Sequence, residues 1–403
     1  MISKIVAMLS AASLIFTSFF PFSKKTESTP TDTQNTSCIF ACDKVAGAPV
    51  PSAKGAYLMH FESGGELYSL NEDLMLPMAS TTKLMTAIIV SELLPFDKIV
   101  TVDEQSVGIE GSSIYLFAGE RISVEVLMYG LLLESANDAA TALAIECAGS
   151  IDNFCSLMNK KAHDLGLTST SFKNPHGLDH EEHYTTPKEL ALIAAYALRD
   201  ERIAGIVSSK SYKAQVMGSD TYRYMTNHNR LLSSYDGAIG MKTGFTKRTG
   251  RCLVSAARRD GMTLICVTLG AQNDWQAHRD LLDFGFNNYK VIPLVQKGDI
   301  SLALDITGGE SSQVALTNRD TLTALINKNT TAHEIRLDIR INRPIFAPIA
   351  QNKILGFADV IYRSEHIFTL QLTSEENIEA KKPKSSIINK IKEFFAGIFD
   401  LPK

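Results

Sequence analysis

Between Ser80 and Pro95 the sequence carries a helix without a polar face, and that segment constrains the architecture more than any other. Leu84, Met85, Ala87, Ile88, Ile89 and Val90 are apolar nearly all round, so the helix must be enclosed by other elements rather than laid on a surface. Pro95 stops it. Its entry, Ser80-Thr81-Thr82-Lys83, is polar, and a spacing of three places Ser80 and Lys83 side by side. Lys83 is then buried with the helix, and burial disfavours an ammonium and lowers its pKa. A desolvated lysine within reach of a hydroxyl can take its proton, which an unreactive serine needs to become a nucleophile. Taken alone, the pattern reads better as a surface lysine one turn from a capping serine, because it arises by chance about once in a chain of this length.

The surroundings that could bury such a helix are legible. Ala56 to Phe61 and Glu66 to Tyr68 flank a Ser63-Gly64-Gly65 turn, and Arg251 to Ala257 and Met262 to Leu269 turn at Asp260-Gly261. Strands at both ends with helices between predict an α+β unit over 46–290, an antiparallel sheet packed on a helical subdomain. Past Val291 the texture changes to short strands. In the cleanest, Ile335, Leu337, Ile339 and Ile341 alternate with Glu334, Arg336, Asp338 and Arg340, and Leu355 to Tyr362 and Ile367 to Leu372 extend the pattern. Residues 291–378 therefore read as a small all-β domain without a chemical cluster. Two domains suit 403 residues of which 45% are hydrophobic and 21% charged, and a net charge of −4 gives no reason to invoke nucleic acid.

The two ends point to a membrane. Lys4 precedes a charge-free, largely apolar run from Ile5 to Phe20, followed by Lys24 and Lys25, so residues 1–22 read as an export signal, cleaved or retained as a short anchor. Residues 23–45 have the composition of a linker. In 379–403, Ile387, Ile388, Ile391, Phe394, Phe395, Ile398 and Phe399 fall on one helical face, with Lys384, Lys390 and Lys392 towards the other side or the entry. The segment is too short and polar to span a bilayer, so it lies in the membrane surface or docks on the protein itself. Six cysteines lack the density of a stapled domain, and the register of the 251–269 hairpin puts Cys252 and Cys266 on opposite faces, as free thiols.

Two further tripeptides carry chemistry. Ser135-Ala136-Asn137 sits between a helix over Val124 to Leu133 and another beginning near Asp138; a hydroxyl and an amide there can relay a proton and hold a substrate amide, or simply cap a helix. Lys242-Thr243-Gly244 precedes the 251–269 hairpin, on an edge strand able to accept an extended peptide. Lys242 and Thr243 would face a carboxylate, and Gly244 removes a side chain that would block close approach. His176, His180 and His183 beside Asp179, Glu181 and Glu182 lack metalloprotease spacing, so no metal is expected, and no phosphate loop or other cofactor motif is present. Arg230, Arg248 and Arg251 could each assist carboxylate binding.

In this order, the three motifs resemble the Ser-x-x-Lys, Ser-x-Asn and Lys-Thr-Gly set of penicillin-binding proteins and related β-lactamases. Met78 to Ala87, Asn174-Pro175-His176-Gly177-Leu178, His183-Tyr184-Thr185-Thr186 and Gly240 through Gly270 resemble the low-molecular-mass D-alanyl-D-alanine carboxypeptidases, over about residues 47–375. That resemblance implies a β-lactamase/transpeptidase-like domain, a small β domain and a C-terminal amphipathic helix. It also implies an exported serine enzyme at the outer face of the cytoplasmic membrane, acting on peptidoglycan stem peptides and acylated by β-lactams. Carried over by motif, Ser80 is the nucleophile, Lys83 its base, Ser135 and Asn137 the proton relay and clamp, and Lys242, Thr243 and Gly244 the carboxylate site. The oxyanion hole is the backbone N–H of Ser80 and of Phe245. Departures are small: Ala136 stands where many relatives have Gly, and Phe245 where some have a polar ring. A β-lactamase would need a Glu-x-x-Leu-Asn between Ser135 and Lys242, which is absent, whereas cleavage of D-Ala crosslinks by an endopeptidase uses the same residues.

Overall fold

The computed structural model describes residues 36–330 and 334–382, with Lys390, Ile391, Phe394 and Phe395. The chain forms two compact units. One is Cys42–Val291 with Leu325–Asn329; the other is Ile292–Ala324 with the described residues up to Ala41 and from Thr330 onward.

In the larger unit, antiparallel strands lie in the order Glu66–Leu70, Gly55–His60, Met262–Ala271, Gly250–Arg259 and Ala238–Gly240, and Thr243–Thr246 pairs with the start of Gly250–Arg259. The long hairpin turns where the sequence predicts. Arg259 faces Met262, and both turn residues, Asp260 and Gly261, have positive φ, matching the right-handed twist of the flanking strands. Its strands are apolar on both faces because both faces are covered. Cys252, Val254, Ala256, Ile265, Val267 and Leu269 join the core of the helical subdomain, while the intervening residues face the helix Asp274–Asn288. Cys252 and Cys266 accordingly lie on opposite faces as buried free thiols, and burial pushes the Cys252 thiol up to about 12.

The helical subdomain comprises Lys83–Leu93, Val124–Leu132, Asn137–Ala148, Ile151–Asp164, Pro187–Leu198 and Glu201–Ser208. Lys83–Leu93 is buried from its first residue through Ser91, as its lack of a polar face requires. Its neighbours start at side-chain caps: Ser123 on Val126 N–H, Ser150 on Asn153 N–H, and Thr186 on Glu189 N–H with Pro187 in the first turn.

The smaller unit holds a five-stranded antiparallel sheet in the order Ser301–Asp305, Gln313–Asn318, Glu365–Ser374, Ile354–Tyr362 and Ile335–Ile341. Along Ile335–Ile341 the aliphatic residues are half-buried and the charged ones exposed. Thus the fold is α+β, with a C-terminal β domain. Two stretches differ from the sequence reading. Thr36–Phe40, read as linker, is a strand in which Ile39 is buried and Ser37 O accepts from Thr323 Oγ1 at 3.3 Å. Ser211–Gln215 and Tyr222–Thr226 form a hairpin whose short, polar strands carry little apolar alternation. The predicted export signal lies outside the described residues, as does most of the predicted terminal helix, of which Ile391, Phe394 and Phe395 are helical and exposed.

Candidate active site

Ser80 does not lie on the α-helix itself but in a single 3-10 turn, Ala79–Thr82, that feeds it. Thr81 Oγ1 donates to Met78 O and Thr82 Oγ1 to Ala79 O, each at 2.7 Å, so local side-chain bonds compete with regular helix at its entry. Ala79 holds φ +48°, in the left-handed region that a residue with a Cβ enters at a cost. Two glycines make room for the strained peptide. A Cβ on Gly177 would stand 2.0 Å from Ala79 O, and one on Gly244 would stand 3.1 Å from Ser80 N.

Lys83 is completely buried, with Nζ 2.9 Å from Ser80 Oγ, 2.7 Å from Asn137 Oδ1 and 2.6 Å from His176 O. Burial, and then the nearby positive Lys242, hold its pKa well below the ordinary lysine range, with Asp138 opposing. A neutral amine has two N–H bonds and one lone pair. The two carbonyl oxygens take the N–H bonds, leaving the lone pair for the Ser80 hydroxyl; an ammonium fills all three positions. Both protonation states of Lys83 are therefore satisfied in one geometry, as a group that exchanges a proton with Ser80 requires.

Asn137 opens the helix Asn137–Ala148, with its N–H on Ser112 O at 2.7 Å and Nδ2 donating to Glu110 O at 2.5 Å. A Cβ on Gly111 would press to 2.8 Å of that Nδ2. The buried Asp138 carboxylate accepts from Ser113 Oγ and from the N–H groups of Ile114 and Leu116, fixing the loop that flanks Asn137. Ser135 is buried in the connection between helices at φ +60°.

Lys242 is buried, its backbone paired both ways with Val254 and its Nζ donating to Thr243 O at 3.0 Å. Burial lowers its pKa to about 7. Thr243–Thr246 pairs only with Gly250–Arg259 among the described strands, leaving its other edge for a peptide. Gly244 rests against the Ser80 turn, whereas the Phe245 ring is 63% exposed. Lys83 thus contacts both Ser80 and Asn137, and Gly244 backs the Ser80 peptide. Lys242 stands near enough to depress Lys83.

The loop Asn174–Leu178 carries a family resemblance in the sequence but no role that its residue types reveal. It is clamped over the helix entry by Lys83 Nζ on His176 O and by Thr86 Oγ1 on Pro175 O at 2.6 Å. Its contribution is a main-chain carbonyl, which no residue type announces. Of the arginines, Arg251 is engaged with Asp274 at 2.8 Å and Arg248 is exposed. His176 is buried with its pKa lowered to about 3 by desolvation, and His183 bonds Thr82 and Lys173.

The family model for D-alanyl-D-alanine carboxypeptidase matches residues 43–273. The chain is 33% identical over 313 residues to D-alanyl-D-alanine carboxypeptidase DacF of Bacillus subtilis, covering 75% of this chain and 80% of that one. With D-alanyl-D-alanine carboxypeptidase DacC of Escherichia coli it shares 31% over 358 residues, 84% of this chain and 88% of the relative. Penicillin-binding protein 5 of Haemophilus influenzae superposes with a TM-score of 0.70 at 27% identity, covering 83% of this chain and 100% of that one.

Proposed function

The chain belongs to the D-alanyl-D-alanine carboxypeptidase family, and from that premise we propose that Ser80 is its acylated nucleophile and Lys83 the general base. As a member it is a serine D-Ala-D-Ala carboxypeptidase and a penicillin-binding protein. The observation that carries the residue assignment is the buried Lys83 amine 2.9 Å from Ser80 Oγ, with both its N–H bonds directed at carbonyl oxygens.

Neutral Lys83 takes the Ser80 proton as Oγ attacks the carbonyl carbon of the penultimate D-alanine. The oxygen that becomes negative is received by the N–H groups of Ser80 and Phe245, two donors in place before the charge develops. The proton then passes by way of Ser135 to the leaving amine. The C–N bond breaks, D-alanine departs, and a Ser80 ester remains for water to hydrolyse. Lys242 and Thr243 hold the terminal carboxylate, and the stem peptide lies along the open edge of Thr243–Thr246. A β-lactam enters the same way and leaves an ester that persists. Mass mapping after benzylpenicillin treatment tests the assignment: the adduct is expected on Ser80, and a stoichiometric adduct on another residue would sink it.

The protein is exported and works at the outer face of the cytoplasmic membrane, held by its last 25 or so residues as an amphipathic surface helix. Support comes from the apolar spacing of that segment and from the exposure of Ile391, Phe394 and Phe395. A signal-processed chain ending at Lys384 should keep its activity and lose binding to anionic vesicles; equal vesicle binding by both chains refutes the anchor.

A further inference from the structure

We propose that His183 and Thr82 are positioning residues for the oxyanion hole, acting through a one-way hydrogen-bond relay that ends on the Ala79–Ser80 peptide. The proposal rests on Ser80 as nucleophile and on its N–H as one of the two oxyanion donors.

The direction of the relay follows from its first link. Lys173 N–H donates to His183 Nδ1 at 3.0 Å, and a backbone N–H can only donate, so Nδ1 carries no proton. A neutral ring then bears its proton on Nε2, which stands 2.7 Å from Thr82 Oγ1. With that hydroxyl oxygen accepting from the ring, its own hydrogen goes to Ala79 O, 2.7 Å away. Ala79 O belongs to the peptide group whose N–H is that of Ser80. Every donor and acceptor in the series is therefore assigned, and no link can be reversed while Lys173 N–H holds Nδ1.

The relay does two things for that peptide. A carbonyl that accepts a hydrogen bond polarises its amide and makes the N–H on the other side a stronger donor. It also holds the peptide plane against the strain at Ala79, φ +48°, where Gly177 and Gly244 pack but offer no hydrogen bond to resist rotation. The ring is locked in turn. His183 is 3% exposed and meets Phe172 edge-on at 5.7 Å, and Asn159 bonds both the N–H and the C=O of Phe172, each at 2.9 Å. Burial, then the positive influence of His180, lowers the ring's pKa to about 4 against the opposing Asp179, consistent with a neutral imidazole at pH 7.

The test compares the full chain with Thr82→Val, Thr82→Ser, His183→Gln and His183→Asn on two substrates. One is a D-alanyl-D-alanine peptide; the other has sulfur in place of the scissile carbonyl oxygen, which oxyanion donors receive poorly. Thr82→Val should lower kcat for the oxygen substrate about tenfold with KM within about twofold, weakening a donor rather than deleting it. The ratio of oxygen to sulfur rates should fall by the same factor, a change that general loosening of the site does not produce. Thr82→Ser keeps the hydroxyl and should restore both numbers to within about twofold. His183→Gln keeps a donor near the Nε2 position and should lose less than His183→Asn, which keeps only an acceptor near Nδ1. An unchanged ratio in folded Thr82→Val overturns the relay. A wild-type ratio near unity would instead overturn the oxyanion-hole reading beneath it. Nitrogen NMR of wild-type His183 at pH 7 supplies a measurement free of substitutions: the Nε2–H tautomer is expected, and an Nδ1–H tautomer or an imidazolium refutes the proposal.

Discussion

In two places in the larger unit a serine hydroxyl meets a fully buried basic side chain, and the two differ in what they can do. In the first, Ser80 Oγ meets Lys83 Nζ at 2.9 Å. In the other, on the sheet face covered by Asp274–Asn288, Ser255 Oγ meets His278 Nδ1 at 2.6 Å, and Thr268 Oγ1 meets Nε2 at 3.0 Å. By residue type alone, serine with histidine is the more familiar pairing of nucleophile and base. The Ser255 cluster is sealed, however: Ser255 is 1% exposed and His278 and Thr268 fully buried, with no room for an acyl group. Both nitrogens of His278 are committed to hydroxyls, and burial drives its pKa to about 3, too low to hold an abstracted proton near neutrality. Ser80 is half-buried, beside the unpaired edge of Thr243–Thr246 and on a strained turn. A polar pair becomes reactive through access and a base able to keep the proton; otherwise it is a satisfied piece of core.

That contrast can be broken most directly at Ser80. Ser80→Ala should lower D-alanine release by at least about a thousandfold and abolish penicillin labelling. Residual turnover near the parent rate, measured on the folded variant, would place the nucleophile elsewhere. Lys83→Arg comes next. Guanidinium keeps the charge but stays protonated, so acylation should slow by about a hundredfold or more.

Lys242→Ala sharpens the comparison from the substrate side. Turnover should fall by roughly ten- to a hundredfold on peptides ending in a free carboxylate, as a charge-assisted contact is lost, and much less on amidated analogues. Equal losses on both would refute the carboxylate role. The same lysine has a consequence for stability. Its folded pKa of about 7 lies below the ordinary value of about 10.4, so above neutrality the unfolded chain binds more protons. Stability from this source is least below about pH 7 and grows as the pH rises towards 10. Lys242→Met should flatten that slope in denaturant titrations at several pH values.

The smallest catalytic effect belongs to the sealed cluster. Ser255→Ala leaves His278 Nδ1 without its partner and should cost about 1–3 kcal/mol of stability, read as a melting temperature lower by a few degrees. Turnover per folded molecule should be unchanged within about twofold, since the pair touches no reacting atom. A large loss of kcat would mean that the two clusters are coupled through the sheet.

Elements whose signal is local are legible in the residues alone. The all-round apolar helix after Ser80 announces its own burial and that of Lys83, and Asp260-Gly261 sets the turn and the register that parts Cys252 from Cys266. Alternation along Ile335–Ile341 declares a half-buried strand. The order of Ser80, Ser135 and Lys242 pointed to one site because three motifs together exceed what chance supplies. How that site is finished depends on contacts between segments far apart in the chain. His176 O completes the shell of Lys83 from 93 residues away, and His183 reaches Thr82 across 101. Lys173 N–H fixes the tautomer of His183, and Gly177 and Gly244 admit a strained peptide between them. These contributions are main-chain atoms, missing Cβ atoms and proton positions, and none has a residue type that marks it in a sequence. Burial is collective too: whether a serine beside a base is Ser80 or Ser255 depends on what covers it, and that is settled only when distant segments pack.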